Sequence, residues 1–188
     1  MPLVLFSGGV DSMALGCKAL EEHKEETSII HFTYTHPALL EEHQATYKWV
    51  SLKRTDRYFH SFYERLDIDA ESLFAGKKEK GPRAVPCRND CFVTYAANKA
   101  LRYQLGNVWI GVTKEDRQYP DCTPEWVELQ NKLLKPWNIR LEAPFINMTR
   151  KDIRALAERK GWDLSRAWSC YEPVDGRPCG ECDACLQG

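Results

Sequence analysis

Two groups of residues in this chain have types and spacings that could do chemistry, and they lie near its opposite ends. The first is Ser7-Gly8-Gly9-Val10-Asp11-Ser12, directly after the apolar run Leu3-Val4-Leu5-Phe6. An aliphatic run breaking into Gly-Gly reads as a buried strand entering a tight turn. The stretch that follows, Met13 to Glu22, is helix-permissive. A strand, a glycine loop and a helix N-terminus together make an anion site. Glycines let the backbone approach an oxyanion, freed N–H groups point at it, and the helix dipole favours negative charge. Ser7 and Ser12 add hydroxyl donors, and Asp11 adds a carboxylate able to hold Mg²⁺ beside a phosphate. A serine-capped turn without a ligand is the plainer alternative, and two glycines, two serines and an acid in so short a run weigh against it. The Gly-Lys-[Ser/Thr] ending of a Walker A loop is missing, so this is a different phosphate loop.

The second group is Cys170-x8-Cys179-x2-Cys182-x2-Cys185. Four thiolates complete the closed tetrahedral shell of a structural zinc, one ion per chain, and leave no position for a zinc-bound water. Gly180 eases the bend, and Pro173, Gly176 and Pro178 make the spacer a loop. A redox cysteine pair and an iron–sulfur cluster, which also takes four thiolates, are the alternatives. Of the eight cysteines, the other four (Cys17, Cys87, Cys91 and Cys122) are scattered. Clustering of this kind reads as metal binding in a reducing compartment rather than crosslinking.

The elements that must position these groups follow from the apolar pattern. Strands are expected at Leu3–Phe6, Ser28–Tyr34, Val108–Val112 and Arg140–Ala143. Helices are expected at about 12–24, 40–54, 90–104, 123–134 and 149–160. Thr123 with Pro124, and Thr149 with Asp152 and Gly161, supply the caps of the last two. Residues 56–86 are the least legible, with a short helix at Leu66–Ala75 and a solvated loop at Gly76–Pro82. Alternating strands and helices imply right-handed βαβ units and an open parallel sheet, whose ligands sit at the carboxyl ends of the strands. The expected organisation is one α/β domain over 1–165 with a small metal-binding tail over 166–188. At 188 residues such a domain needs no disulfides to fold. A net charge of −1 argues against a nucleic-acid footprint. No apolar run approaches the roughly 18 residues of a membrane span, and the apolar start is too short for a signal peptide, so the cytoplasm is expected.

Ser-Gly-Gly-x-Asp-Ser resembles the PP-loop of the N-type ATP pyrophosphatases, with their Rossmann-like, adenine nucleotide alpha hydrolase-like fold. The cysteine tail, with Pro86-Cys87-Arg88-Asn89, the run Ile110 to Asp116, Tyr119-Pro120-Asp121-Cys122-Thr123-Pro124-Glu125, and Ala143 to Thr149, resembles the 7-cyano-7-deazaguanine synthase (QueC) family. The resemblance implies a ligase that activates 7-carboxy-7-deazaguanine with ATP, admits ammonia to form an amide, and dehydrates the amide to the nitrile preQ0. It also implies a homodimer and a structural zinc. Carried over residue by residue, Ser7 to Ser12 hold the nucleotide, and Asp11, Ser12, Arg88, Asp116 and Asp121 carry the chemistry. Arg88, Asn89, Asp116, Tyr119, Asp121 and Glu125 meet the substrate. Arginine gives bidentate recognition of carboxylate or phosphate, and Asp116 and Asp121 could read a guanine-like N–H edge, hold Mg²⁺, or simply cap turns.

Three positions depart from the family pattern. Tyr34-Thr35-His36-Pro37 stands for Tyr-Gly-Gln, Cys87 for a small residue, and Arg150 for a lysine. The first departure is expected to alter ATP handling before it alters the acceptor. An amide-forming variant, a ligase for another acceptor, a tRNA-modifying PP-loop enzyme and a zinc-ribbon module with a vestigial loop are the competing readings. Cys122 reads as an inert buried thiol, the five histidines as structural, and Trp162 and Trp168 as packing for the cysteine tail.

Overall fold

A computed structural model describes residues 1–23, 27–34, 36–53, 60–65 and 85–186. The expected helix at 66–75, the loop at 76–82, and Thr35 lie outside these residues. Five strands form one parallel sheet: β1 (Pro2–Leu5), β2 (Ser28–Thr33), β3 (His60–Arg65), β4 (Asn107–Trp109) and β5 (Arg140–Glu142). Their spatial order is β3-β2-β1-β4-β5. The chain runs outward from β1 in one direction and then, from β4, in the other. The order therefore reverses between β1 and β4, and a crevice opens at their carboxyl ends. Both strands lead into residues singled out by the sequence, Ser7 after β1 and Ile110 to Asp116 after β4.

Helices cover both faces, as all-parallel sheets require. Alternation along the strands divides the apolar side chains between them. Leu3, Leu5, Ile30, Phe32 and Val108 face helices α3 (Arg88–Arg102) and α4 (Pro124–Leu134). Val4, Phe6, Ile29 and Trp109 face α1 (Val10–His23), α2 (Leu39–Lys53) and α5 (Arg150–Lys160). A short α6 (Asp183–Leu186) closes the described chain.

The caps of α4 and α5 form as their sequences predict. Thr123 Oγ1 accepts from Trp126 N at 3.1 Å, Thr149 and Asp152 exchange their capping bonds, and Gly161 turns the chain at φ 67°. Other expectations need correction. α1 starts at Val10 rather than residue 12, because the Gly9 carbonyl already accepts from Met13 N at 2.9 Å; Asp11 and Ser12 thus sit in the first helical turn. α3 starts at Arg88 rather than Asp90, since Cys87 takes a left-handed conformation (φ 59°) and Asp121 Oδ2 accepts from Asn89 N at 3.1 Å. β4 ends at Trp109, beyond which the chain peels off toward a cap at Thr113. β3 was not expected at all: His-Ser-Phe-Tyr-Glu-Arg carries the polar character of an edge strand and no apolar alternation. Trp162 is not under the cysteines; it packs on the α1 side of the core and donates Nε1–H to Glu21 at 3.1 Å.

Candidate active site

The phosphate loop is held in shape by its own serines. Ser12, buried in the first turn of α1, accepts from Gly8 N at 3.1 Å and from Ser7 Oγ at 3.2 Å, and donates to the Gly9 carbonyl at 3.0 Å. Gly8 has φ 86°, and a Cβ there would lie 2.7 Å from the Glu42 carbonyl, so only glycine fits between the loop and α2. Gly111 serves the other wall. A Cβ on it would press to 3.3 Å on the backbone of Asp11 and Ser12, which is how closely the end of β4 approaches the loop.

Arg150, the first residue of α5, joins the two walls. Its Nε donates to Asp11 Oδ2 at 3.1 Å and its Nη2 to Asp116 Oδ1 at 2.7 Å, while its backbone N–H is taken by Glu115 Oε2 at 2.8 Å. Asp116 spends its second oxygen on the Thr113 N–H and hydroxyl, at 2.8 and 2.7 Å. Burial pushes the Asp11 carboxyl up to about 6, against the pull of Arg150 and with the push of Asp116. Asp11 Oδ1 is buried and accepts no hydrogen bond. An orphaned carboxylate oxygen beside a phosphate loop fits a divalent cation with oxygen ligands.

The residues expected to meet the substrate come from the N-terminus of α3 and the turns after β4. Asn89 donates from Nδ2 to the Asp121 carbonyl at 3.0 Å and toward Cys122 Sγ at 3.2 Å. Arg88 Nη1 donates to Tyr34 Oη at 3.0 Å, and Arg88 Nε is buried without a partner. Burial pushes the Cys122 thiol up to about 12, with Asp121 and Asp116 adding to the effect, so it is a protonated thiol at neutral pH. Asp116 and Asp121 each do the capping work that the plainer reading of their sequence foresaw, while also facing the interior.

One cavity of about 320 Å³ gathers these groups. Its wall includes Ser7, Gly9, Val10, Asp11 and Ser12 from the loop, and Arg88, Asn89, Asp116, Tyr119 and Asp121 from the other side. Gly8 lies buried behind the loop, and Glu125 stands exposed on the first turn of α4 and does not line the cavity. The wall also holds residues to which the sequence assigned no part in the site: Glu42, Trp168 and Tyr171. Glu42 reads in sequence as one more acid on a solvated helix, so nothing there signals it. Tyr34 and His36 line the same cavity. Arg88 is held by Tyr34, the residue of that stretch which keeps the family's type, while His36 and Pro37, which depart from it, border the same cavity. His31, by contrast, is structural: buried and hydrogen-bonded from Nδ1 to the Phe6 carbonyl at 2.8 Å, it is held neutral, its pKa down to about 4 through burial.

The four tail cysteines converge, with sulfurs within 4.8 Å of one another. Cys170 and Cys179 Sγ lie 3.5 Å apart, and Cys182 to Cys170 and Cys179 to Cys185 are each 4.0 Å. Four ligands at about 2.3 Å from one tetrahedral ion would be spaced by about 3.8 Å, so the shell fits a single ion; a cluster of several irons holds its cysteines further apart. Backbone N–H groups of Cys182 and Glu181 point at Cys179 Sγ at 3.3 and 3.5 Å and draw its pKa down to about 6. The spacer is a tight hairpin: Val174 and Arg177 pair across Asp175 and Gly176, both at positive φ. The tail also reaches the loop, where Trp168 N donates to the Gly8 carbonyl at 2.9 Å and its indole to the Cys170 carbonyl at 2.8 Å.

Among the described residues no helix is long and apolar enough to cross a membrane. The chain is similar to solved structures of the same fold, including the U34-tRNA thiolase NcsA from Methanococcus maripaludis with its [4Fe-4S] cluster (TM-score 0.56, 15% identity, covering 94% of this chain and 62% of that one). It is 31% identical to the 7-cyano-7-deazaguanine synthase of Rhizorhabdus wittichii over 97% of this chain and 86% of that protein. The synthase of Nitratiruptor sp. is likewise 31% identical, over 97% and 89%. The match to the synthase of Leptospira biflexa, 33% identical, takes in 63% of this chain and spans about half, 52%, of that relative's length. The family model described as queuosine biosynthesis protein QueC matches residues 1–187, and the chain belongs to that family of enzymes.

Proposed function

We propose that this protein is an ATP-dependent ligase that converts 7-carboxy-7-deazaguanine and ammonia to 7-cyano-7-deazaguanine. The observation that carries this reading is the placement of a phosphate loop and an arginine- and aspartate-lined acceptor wall on one cavity, in a chain matched end to end by the QueC family. The substrate carboxylate attacks the α-phosphorus of ATP and expels pyrophosphate into the loop. Ammonia then adds to the acyl adenylate, and AMP leaves with one carboxylate oxygen to give the amide. In a second round the amide oxygen attacks another ATP, pyrophosphate departs, and loss of two protons with AMP leaves the nitrile. Ser7, Gly9 and Ser12 hold the leaving pyrophosphate, since loop N–H groups and hydroxyls at a helix N-terminus favour its charge. Asp11 would hold Mg²⁺ through its orphaned Oδ1, and the ion would neutralise phosphate charge. Arg150 keeps Asp11 and Asp116 in place, and Arg88 binds a carboxylate or phosphate oxygen. The sulfur shell of Cys170, Cys179, Cys182 and Cys185 holds a structural Zn²⁺.

The reading is tested by mass spectrometry of reactions with 7-carboxy-7-deazaguanine, ATP and ammonium. The nitrile, with two AMP per product, is expected. A product mass that stops at the amide under excess ATP would instead assign the amide-forming reaction. Failure to bind ATP at all would leave only the zinc-ribbon module.

A further inference from the structure

Glu42 and Arg88 face the same cavity and do not pair with each other. Glu42 comes from the first turn of α2, its side chain 21% exposed, and its one ion-pair contact among the described residues is His36 Nε2 at 3.6 Å. That contact is not ionic. His36 is held neutral, its pKa drawn down to about 4 by burial, Arg88 and His31, and its Nε2 is buried without a hydrogen bond. Arg88 spends Nη1 on Tyr34 and keeps Nε and its remaining donors for the interior. Arg88 is close enough to pull on the ionisation of Glu42, yet no ion pair joins the two side chains. A partly buried acid and a partly buried guanidinium left apart on one cavity wall are both satisfied by a third group that pairs with each. Beside them, Phe32 and Phe92 stack at 4.7 Å and both line the cavity, offering a flat apolar wall to a ring.

The group that completes this set has two adjacent N–H donors for the carboxylate, an acceptor beside them for the guanidinium, and a planar ring. We infer that Glu42 reads the N1–H and 2-amino edge of a guanine-type base while Arg88 takes its neighbouring carbonyl oxygen, making Glu42 the specificity residue of the acceptor pocket. Two N–H donors select the ionised form of Glu42, against which the ring N1 of an adenine edge would set a lone pair. This deepens the ligase reading and rests on it for the identity of the acceptor, but the edge itself can be tested without turnover.

Binding of 7-deazaguanine and 7-carboxy-7-deazaguanine is measured by calorimetry, beside the analogues lacking the 2-amino group. The wild type is expected to bind the amino forms at least tenfold tighter, because a site built to accept an N–H pays for leaving that acceptor unpaired. In Glu42→Gln, whose amide NH₂ meets the base's donors, the preference is expected to collapse to within about twofold. Affinity for a non-hydrolysable ATP analogue should stay unchanged. Wild-type binding that ignores the 2-amino group needs no variant and overturns the assignment, as does a preference that survives in Glu42→Gln or a loss that falls on the ATP analogue. Those results leave the ligase reading standing. Retained 2-amino discrimination without turnover supports Glu42 and counts against the ligase reading, and no binding of any 7-deazaguanine overturns both.

Discussion

Ser12 carries more of the site than its size suggests, because one hydroxyl organises Ser7, Gly8 and Gly9 together. Ser12→Ala should lower AMP and pyrophosphate release by about 10²–10³-fold, the scale of removing one preorganised polar contact. It should also destabilise the fold by about 1–3 kcal/mol through the orphaned Gly8 N–H. Pyrophosphate release and a thermal melt read the two effects separately. Asp11→Ala is expected to abolish release while Arg150 remains held by Asp116 and Glu115; normal turnover in either variant would place the nucleotide elsewhere. Glu42 makes a prediction in pH. Burial, tempered by Arg88, lifts its carboxyl from 4.5 to about 8 in the folded protein. The native state therefore keeps a proton that the unfolded chain releases, and this group's contribution to stability falls as pH rises from about 4.5 to 8. Glu42→Gln should accordingly melt several degrees above the wild type at pH 9 and near it at pH 5. These residue-scale features were unevenly legible. The Ser-Gly-Gly-x-Asp-Ser run announces itself because strand, glycines and helix start are contiguous. Glu42 and Arg88 meet only through the fold, 46 positions apart in the numbering, and no local pattern marks them.

At the level of elements, each turn that the sequence places correctly has a local cause. Thr123-Pro124 and Thr149 with Asp152 cap helices through side chains within three residues, so their sequences suffice. The starts of α1 and α3 shift for the opposite reason. One is extended by the loop's own hydrogen bonds, and the other is set by Asp121, which arrives from the turns after β4 on the same face of the sheet. β3 escapes because an edge strand need bury only part of one face. Gly8 ties element to site, standing where the end of β1 passes under α2. Gly8→Ala should cost more than about 2 kcal/mol, from the left-handed backbone and the clash with the Glu42 carbonyl, and lower Tm by about 4–8 °C. A melt within 1–2 °C of the wild type would mean that the loop can relax away from α2.

On the scale of the whole molecule, the cysteine tail belongs to the cavity as well as to its own cluster of sulfurs. Trp168, Ser169 and Tyr171 contribute wall, and Trp168 N holds the Gly8 carbonyl. Elemental analysis should find about one zinc per chain; iron with visible absorbance, or no metal, would count against the assignment. Cys182→Ser should lower thermal stability, because metal binding in a closed shell is folding free energy. Activity per folded molecule should change little while the Trp168 tether persists. Chelation, which releases the tether's anchor at Cys170, should weaken binding of the ATP analogue.

The bond between Gly8 and Trp168 also sets an order of events during synthesis. A ribosome delivers the phosphate loop 160 positions before the strut that fixes it. Throughout elongation the sheet can assemble around β1 while the loop lacks one wall and its backbone anchor. A nascent chain of this protein therefore carries the loop motif without its complete wall, and gains that wall only once the cysteine segment emerges and folds.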